Sequence, residues 1–485
     1  MLIFDEPLIG YWFLLPVTDH PGLVAIRRSP MNHEEEYILE KQLKKNKKLI
    51  LLSSFGDFPL HDDVFLKKYN RYIMLWCHCL RDPGGYLWDV PKILFSESDV
   101  YPLECLDALI KMDHQKEVDF LCYLPYGSKY KNAHGAIPIL NQMTSIYKVL
   151  VFTGSSRHDG LQAEQRLNQP WKEFISCFCK CKFLIIFAEL DASPRMIIEA
   201  LCLNIPVLAN QDIIGGWKYI VPNQTGNFIN IKDPEILNAI QEYYRYQDYH
   251  PRSFIRKQYS PERNAALFME TIHELQKTSI TDLVDKIFYI NLDDRKDRRL
   301  SIETEFDKMG IDKRKIVRIE AIDNRKNGHL GCCQSHLLAL KQCLEGGNIF
   351  MIVEDDFMFE LCKERVGHII KQFLLNEPEF DVLLLYAFPA FKILQKKKFI
   401  YRVHDASSTA GYLISRKMIH PLIICFRTSE SDLLTETMES QEQKIYYTPH
   451  AIDQRWKTLQ NSYKFFITEP RIGCPNPRLI SSIMT

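Results

Sequence analysis

Apolar and polar positions along this chain fall into short apolar runs separated by stretches in which apolar residues recur every three or four positions. Runs of that kind read as strands and the periodic stretches as helices with one buried stripe. In the first half, Leu49–Leu52, Tyr72–Trp76, Ile93–Phe95, Val149–Phe152, Phe183–Phe187 and Ile205–Leu208 are predicted strands. The most legible helix here opens at Ser193-Pro194, where Ser offers a cap and Pro takes the first helical position, and shows Met196, Ile197, Ala200 and Leu201 on one face. A second capped start, Ser260-Pro261-Glu262, predicts a helix running towards Lys277 with Ala266, Met269, Ile272 and Leu275 as its apolar face. The polar stretch Gln276–Thr281 follows, which places a domain boundary near Thr278–Asp285. Between Tyr289 and Ala387 strands and helices alternate again, which predicts α/β units on a largely parallel sheet.

Length turns this pattern into domains: 485 residues exceed what one core of about 250–300 residues holds, so two or three domains are expected. Apolar content of 46% and charged content of 25% are those of a globular chain. The 61 basic and 61 acidic residues cancel, leaving no overall field to attract nucleic acid or an anionic membrane. No apolar run reaches the roughly 18–20 residues of a membrane span. Asp5 and Glu6 precede the short apolar patch Tyr11–Val17, unlike a signal peptide, so a soluble cytoplasmic protein is expected. The 14 cysteines are scattered through apolar segments and read as reduced, mostly buried thiols. Cys177-Phe178-Cys179-Lys180-Cys181 lacks the two-residue spacer of a zinc knuckle.

Candidate chemistry concentrates in the second half. The strand Lys286–Ile290 runs into Asn291-Leu292-Asp293-Asp294-Arg295, then Arg298-Arg299 and a helix with Ile302, Phe306 and Met309 on one face. Ligands of open α/β sheets bind at the carboxyl ends of strands, so Asn291, Arg295 and Arg299 stand where a nucleotide would, and arginine forks suit phosphate. A solvated, charged first turn is the plainer alternative. The strand Asn348–Val353 ends in Glu354-Asp355-Asp356. Three adjacent carboxylates repel one another unless something compensates, and a divalent cation shared with substrate phosphates is the usual answer; a solvated acidic turn is the other. Between them, Gly331-Cys332-Cys333-Gln334-Ser335-His336 leads into a helix with Leu337, Leu340 and Leu344 on one face. Free amides and Ser335 at that helix start would hold an anion, with His336 donating to a phosphate or sugar oxygen or serving structure alone.

In order along the chain, Ile290-Asn291-Leu292-x-x-Arg295-x-x-Arg298-Arg299, Ala321-x-Asp323, Gly331-Cys332-x-x-Ser335-His336, Val353-Glu354-Asp355-Asp356, Ala410-Gly411-Tyr412-Leu413-Ile414-Ser415 and Ile452-Asp453 resemble glycosyltransferase family 25, which includes lipooligosaccharide and procollagen galactosyltransferases. The resemblance spans about Lys286 to Ser482. It implies a GT-A fold, a UDP-sugar donor, a manganese ion and inversion at the anomeric carbon. Asp355 and Asp356 would then hold metal and diphosphate, Asn291, Arg295 and Asp323 would face the nucleotide, and Asp453 would sit by acceptor or metal. Asp453 and Glu354 are the candidate bases. The chain departs from the family pattern at Gly411 and at Ser481-Ser482, which puts acceptor specificity in question.

The first half is similar to the nucleotide-binding half of GT-B glycosyltransferases, on Val149–Gly154, Phe183–Phe187, Asp191-Ala192-Ser193-Pro194-Arg195 through Glu199-Ala200-Leu201, and Ile205–Leu208. Asp191 and Glu199 have the spacing of that family's two acids, and Arg195 at the helix start would meet a diphosphate; a surface pair of Arg195 with Glu199 is the alternative. The expected organisation is a reduced Rossmann-like lobe at 1–140, a GT-B-like lobe at 141–280 and a GT-A-like domain at 285–485. The expected function is hexosyl transfer from a UDP-sugar to a glycan or glycoprotein, with two sites or with the first half serving as an acceptor-binding scaffold. A nucleotide-sugar-binding protein without catalysis is the competing class.

Overall fold

The computed structural model describes residues 14–15, 22–45, 48–53, 58–84, 86–87, 89–100, 106, 115–167, 169–192, 194–440 and 447–479. Two compact units form: Met1–Tyr69, Leu75–Tyr86 and Lys92–Ile272 make the first, and Asn70–Met74, Leu87–Pro91 and His273–Thr485 the second.

The first unit carries two sheets. β1 (Leu14–Leu15), β2 (Leu23–Ile26), β3 (Lys48–Leu52), β4 (Ile73–His78) and β5 (Lys92–Leu94) lie side by side in that order. β6 (Val118–Tyr123), β7 (Val149–Gly154), β8 (Glu164–Leu167), β9 (Cys181–Ile186), β10 (Val207–Asn210) and β11 (Gly226–Ile229) form a wholly parallel sheet ordered β11-β10-β9-β6-β7-β8. Covered on both faces, its inner strands are continuous apolar runs, with Phe120, Leu121, Leu184, Ile185 and Leu208 fully buried. The central β6 lies within the segment expected to belong to the first lobe. It was not among the expected strands because Asp119 interrupts its run; that carboxylate is held by Lys182 Nζ at 2.8 Å and the Lys148 amide at 2.9 Å.

Two expectations shift in register. The strand expected at Ile205 begins at Val207, because the Ile205 amide closes the preceding helix on Ala200 O at 2.8 Å. That helix is Arg195–Cys202, burying Ile197, Ile198, Ala200 and Leu201; its expected cap Ser193 lies outside the described residues. In the helix Pro261–Lys277 the buried face is Ala265, Phe268 and Ile272, and Ala266 is exposed. A strict three-residue period drifts off the face of a 3.6-residue turn, so Phe268, not Ala266, stacks on Phe95 at 4.8 Å.

The second unit is built on an eight-stranded sheet. β12 (Lys286–Asn291), β13 (Ile316–Glu320) and β14 (Ile349–Glu354) run parallel in the order β13-β12-β14. β15 (Phe357–Phe359) leaves the sheet; β16 (Val382–Leu384), β17 (Lys392–Lys397), β18 (Ile400–His404), β19 (Gly411–Ser415) and β20 (Phe465–Thr468) complete it as β14-β19-β16-β20-β18-β17, and β21 (Gly473–Pro475) pairs with β15. The largely parallel sheet expected from the alternation holds for β13, β12 and β14 and for β16 with β20; the other pairings are antiparallel. Parallel pairing needs a crossover, whereas β17 and β18 are joined by a tight turn at Lys398 (φ 56°). Alternate residues feed two cores: Phe288, Ile290, Phe350 and Ile352 pack with Leu337 and Leu340 on one face, while Ile287, Tyr289, Met351 and Val353 pack with Ile302 and Phe306 on the other. Among the described residues no helix is long and apolar enough to cross a membrane.

Candidate active site

β12 and β14 are neighbours, with Ile290 opposite Glu354. The chain leaves β12 for β13 on one side, and β14 is flanked on the other by β19. The crevice at their carboxyl ends is the kind of place where α/β sheets bind ligands. A cavity of about 380 Å³ opens there, lined among others by Arg295, Arg298, Asp323, Cys332, Ser335, His336 and Glu354–Asp356.

The three acids have different surroundings. Asp355 is buried and satisfied: its Oδ2 accepts from Asn291 Nδ2 at 2.8 Å and its Oδ1 from Arg298 Nη1 at 2.8 Å. Burial nevertheless raises its carboxyl above the ordinary range. Asp356 is less well served. Its Oδ2 stands 3.6 Å from Arg298 Nη1, and its Oδ1 is buried with no hydrogen-bond partner. Burial first, then the charge of Glu354, pushes this carboxyl up to about 7. Glu354 goes the other way: burial works to raise it, but His336 and the Thr409 hydroxyl, 2.9 Å from Oε1, outweigh burial and hold it low.

A manganese ion, hard and oxygen-seeking, fits this donor set. The partnerless Asp356 Oδ1 would be its first ligand, and Asp355, whose two oxygens each accept one hydrogen bond, would lend a remaining lone pair.

The other expected residues are distributed as follows. Asn291 braces the loop, donating also to Arg295 O at 3.1 Å and accepting from Arg318 Nε at 3.2 Å. Arg295 is oriented by a bidentate pair with Asp297 at 3.0 Å on both arms, and Asp323 is held by Arg325 Nε at 3.0 Å. Arg299 is not among the lining residues; its Nε pairs with Glu303 at 3.0 Å on the exposed side of the helix Lys296–Lys308. The expected helix start at Ser335-His336 is corrected: the helix is Gly328–Cys343, capped by Asn327 Oδ1 on the Leu330 amide at 3.2 Å. Ser335 and His336 therefore sit mid-helix without free amides. The Ser335 hydroxyl donates to Gly331 O at 2.6 Å and accepts from the Ile322 amide at 2.9 Å. Asp453, in the short helix Ile452–Arg455, is outside the lining set; its Oδ2 accepts from the Ser408 amide at 3.1 Å, and burial, then Glu354, raises its carboxyl.

Arg298, Cys332 and Tyr412 stand in the quoted motifs but were given no role from sequence, and Thr409 was not singled out at all. Arg298 had a signal, since it stands one turn before Ile302 and two before Phe306 on the buried face. Gly411 also gains a reason: a Cβ there would meet the Phe357 ring at 2.6 Å.

In the first unit, the six-stranded parallel sheet has its own switch point between β6 and β9. Asp191, after β9, forms an ion pair there with Lys131, which follows β6. Gly215 packs against this loop so closely that a Cβ would meet Asp191 O at 2.2 Å. Glu199 is buried and accepts from Trp171 Nε1 at 3.0 Å, while Arg195 is exposed on the helix's first turn.

Residues 320–435 match the model of Glycosyltransferase family 25 (LPS biosynthesis protein). The match takes in Asp323, Ser335, His336 and Glu354–Asp356, so this stretch of the second unit is similar to that family. No curated protein sequence matches the chain. Similar solved structures include a glycosyltransferase from Rickettsia africae (15% identity, 53% of this chain and 77% of that chain, TM-score 0.39). Others are HepE of Anabaena in complex with UDP and glucose (13%, 52% and 78%, TM-score 0.38) and the pneumococcal O-GlcNAc transferase GtfA in complex with UDP and GlcNAc (10%, 50% and 55%, TM-score 0.35).

Proposed function

We propose that the second unit transfers a hexosyl group from a UDP-sugar to a hydroxyl of a glycan or glycoprotein, with a divalent metal and inversion at the anomeric carbon. The observation that carries this reading is the cavity at the β12–β14 carboxyl ends, which Arg295, Arg298 and the Glu354–Asp356 triad line together. Arg295 meets the donor's phosphates, Asp323 positions its nucleotide, Asn291, buried and bonded to Asp355, Arg295 and Arg318, holds the loop in place, and Asp356 with Asp355 would hold manganese. The metal, when bound, supplies positive charge to the departing diphosphate.

In the transfer a carboxylate takes the proton of the acceptor hydroxyl while that oxygen bonds to the anomeric carbon. The carbon's bond to the diphosphate breaks, and the leaving group keeps the electron pair. The two candidate bases are Glu354, which lines the cavity, and Asp453, which lies outside its lining and whose carboxyl is raised by burial and by Glu354. UDP release from a panel of UDP-sugars, with and without manganese, tests the reading. Release is expected with one hexose donor and manganese, and is lost in Asp356→Asn; no release with any donor sinks the transferase claim.

A second transfer in the first unit is favoured by one observation, the Lys131–Asp191 pair at the switch point of its parallel sheet. If that site is active, Glu199→Ala and Asp356→Asn abolish separate transfers. If Glu199→Ala changes neither transfer nor donor binding, the first unit is the acceptor-binding scaffold.

A further inference from the structure

We propose that Cys332, His336 and Glu354 form a second cation site, selective for zinc-like ions and separate from the Asp355–Asp356 oxygens. Cys332 and His336 are four residues apart on the helix Gly328–Cys343, so their side chains stand one above the other on one face. Glu354, at the end of β14, faces them. One ligand atom from each of the three lies within 4.8 Å of the others.

His336 Nε2 and Glu354 Oε1 are 3.5 Å apart. Nitrogen and oxygen ligands bonded tetrahedrally to zinc at about 2.0–2.2 Å stand roughly 3.4 Å apart, so this edge is already formed.

The independent sign of a ligand is His336 itself. The residue is fully buried, and its Nε2 has no hydrogen-bond partner, Glu354 being too far for a good bond. Its other nitrogen, Nδ1, is 2.9 Å from the Tyr412 hydroxyl, with the two rings stacked. When that hydroxyl accepts the Nδ1 proton, a cation takes the place of the Nε2 proton that otherwise faces Glu354 Oε1 3.5 Å away; outer partners of this kind fix metal-binding tautomers. Thr409 holds Glu354 Oε1 in place. One thiol, one imidazole and one carboxylate suit Zn2+ or Co2+, whereas manganese and magnesium prefer all-oxygen sites such as Asp355–Asp356. Binding releases the Cys332 proton to solvent and leaves one coordination position open.

The test uses metal-free full-length protein titrated with Co2+. A thiolate-to-cobalt charge-transfer band is expected, saturable, displaced by Zn2+ and unaffected by Mn2+. It is absent in Cys332→Ser, and His336→Gln weakens binding at least about tenfold. Because other cysteines are present and a buried variant can misfold, a second measurement uses the unmodified chain: zinc slows iodoacetamide labelling of Cys332, followed by peptide mass, while leaving Cys177 and Cys474 unchanged. A cobalt band that survives in Cys332→Ser, or Cys332 labelling indifferent to zinc, overturns the proposal. Neither readout needs nucleotide or transfer, so the outcome is independent of the transferase assay.

Discussion

Arg298 is what allows two carboxylates to lie buried beside each other. Its guanidinium is 5% exposed and serves Asp355 and Asp356 at once. Removing one partner of a buried pair leaves the other uncompensated and costs about 3–5 kcal/mol. Arg298→Ala is therefore expected to lower the melting temperature by about 10 °C, a loss of a few degrees for each kcal/mol in a domain of this size. A thermal melt within two degrees of wild type would mean that solvent or a cation already does the work. Asp356 gives a second expectation, in metal-free protein. Its folded carboxyl titrates near 7, above the ordinary 3.8, so the folded state holds the proton longer than the unfolded one. Its contribution is fully present below 3.8 and is lost as pH rises through 7. Relative to Asp356→Asn, the wild-type urea midpoint should thus lose ground as pH rises from about 4 to 7. Manganese, competing with the proton, should stabilise more at pH 8 than at pH 5; equal stabilisation at both would remove Asp356 from the metal site. The acids themselves were legible in sequence because carboxylates at the end of an apolar strand demand compensation. Their counter-ion was not: in a run of charged residues only the helix phase separates buried Arg298 from solvated Arg299.

At the scale of elements, the helix Gly328–Cys343 carries one wall of the cavity, and its seating depends on two residues. Asn327, fully buried, caps the first turn and donates to Thr437 Oγ1 at 2.8 Å. Gly331 lies so close to the 321–324 loop that a Cβ would meet Ile322 O at 2.5 Å. Asn327→Ala should cost about 1–2 kcal/mol as a lost cap. Gly331→Ala should cost about 1–3 kcal/mol as overpacking against backbone, and should also weaken donor binding because Asp323 rides on the displaced loop. Denaturant unfolding together with nucleotide titration separates the two. A Gly331→Ala protein that binds donor normally would show that the loop gives way freely. Apolar periodicity located this helix but not its start, since the first turn, Gly328-His329-Leu330-Gly331, has few residues that favour helix and is held by the cap and the loop beneath it. The sheet was legible for the same reason and within the same limit. Runs of apolar residues marked β12 and β14, but direction belongs to the connections, and a hairpin such as β17–β18 leaves no apolar signature of its own.

For the whole molecule the boundary expected near Thr278–Asp285 meets a complication. The second unit includes Asn70–Met74 and Leu87–Pro91, far earlier in sequence. Arg365 shows why. It is 1% exposed, its Nη2 is ion-paired with Asp89, and its Nη1 donates to Asn70 O at 2.6 Å. Burial pushes its guanidinium down to about 9, still charged at neutral pH, and Asp89 and Asn70 satisfy that buried charge. No local pattern in sequence announces a pairing across that distance, which is why composition and periodicity placed the cut too simply. A fragment of residues 285–485 would keep the family-25 stretch and the cavity but lose Asp89 and Asn70, leaving a buried cation unpaired at a cost of about 3–5 kcal/mol. That fragment is expected to be unstable to limited proteolysis and to melt well below the full chain. Arg365→Met, similar in length and uncharged, should recover much of the loss in the fragment, whereas in the full chain it should cost about 3–5 kcal/mol, because it leaves the buried Asp89 carboxylate unpaired. If 285–485 is as resistant to protease as the full chain, and Arg365→Met changes nothing in it, the early segments are decoration on a self-sufficient domain and the simple boundary was right.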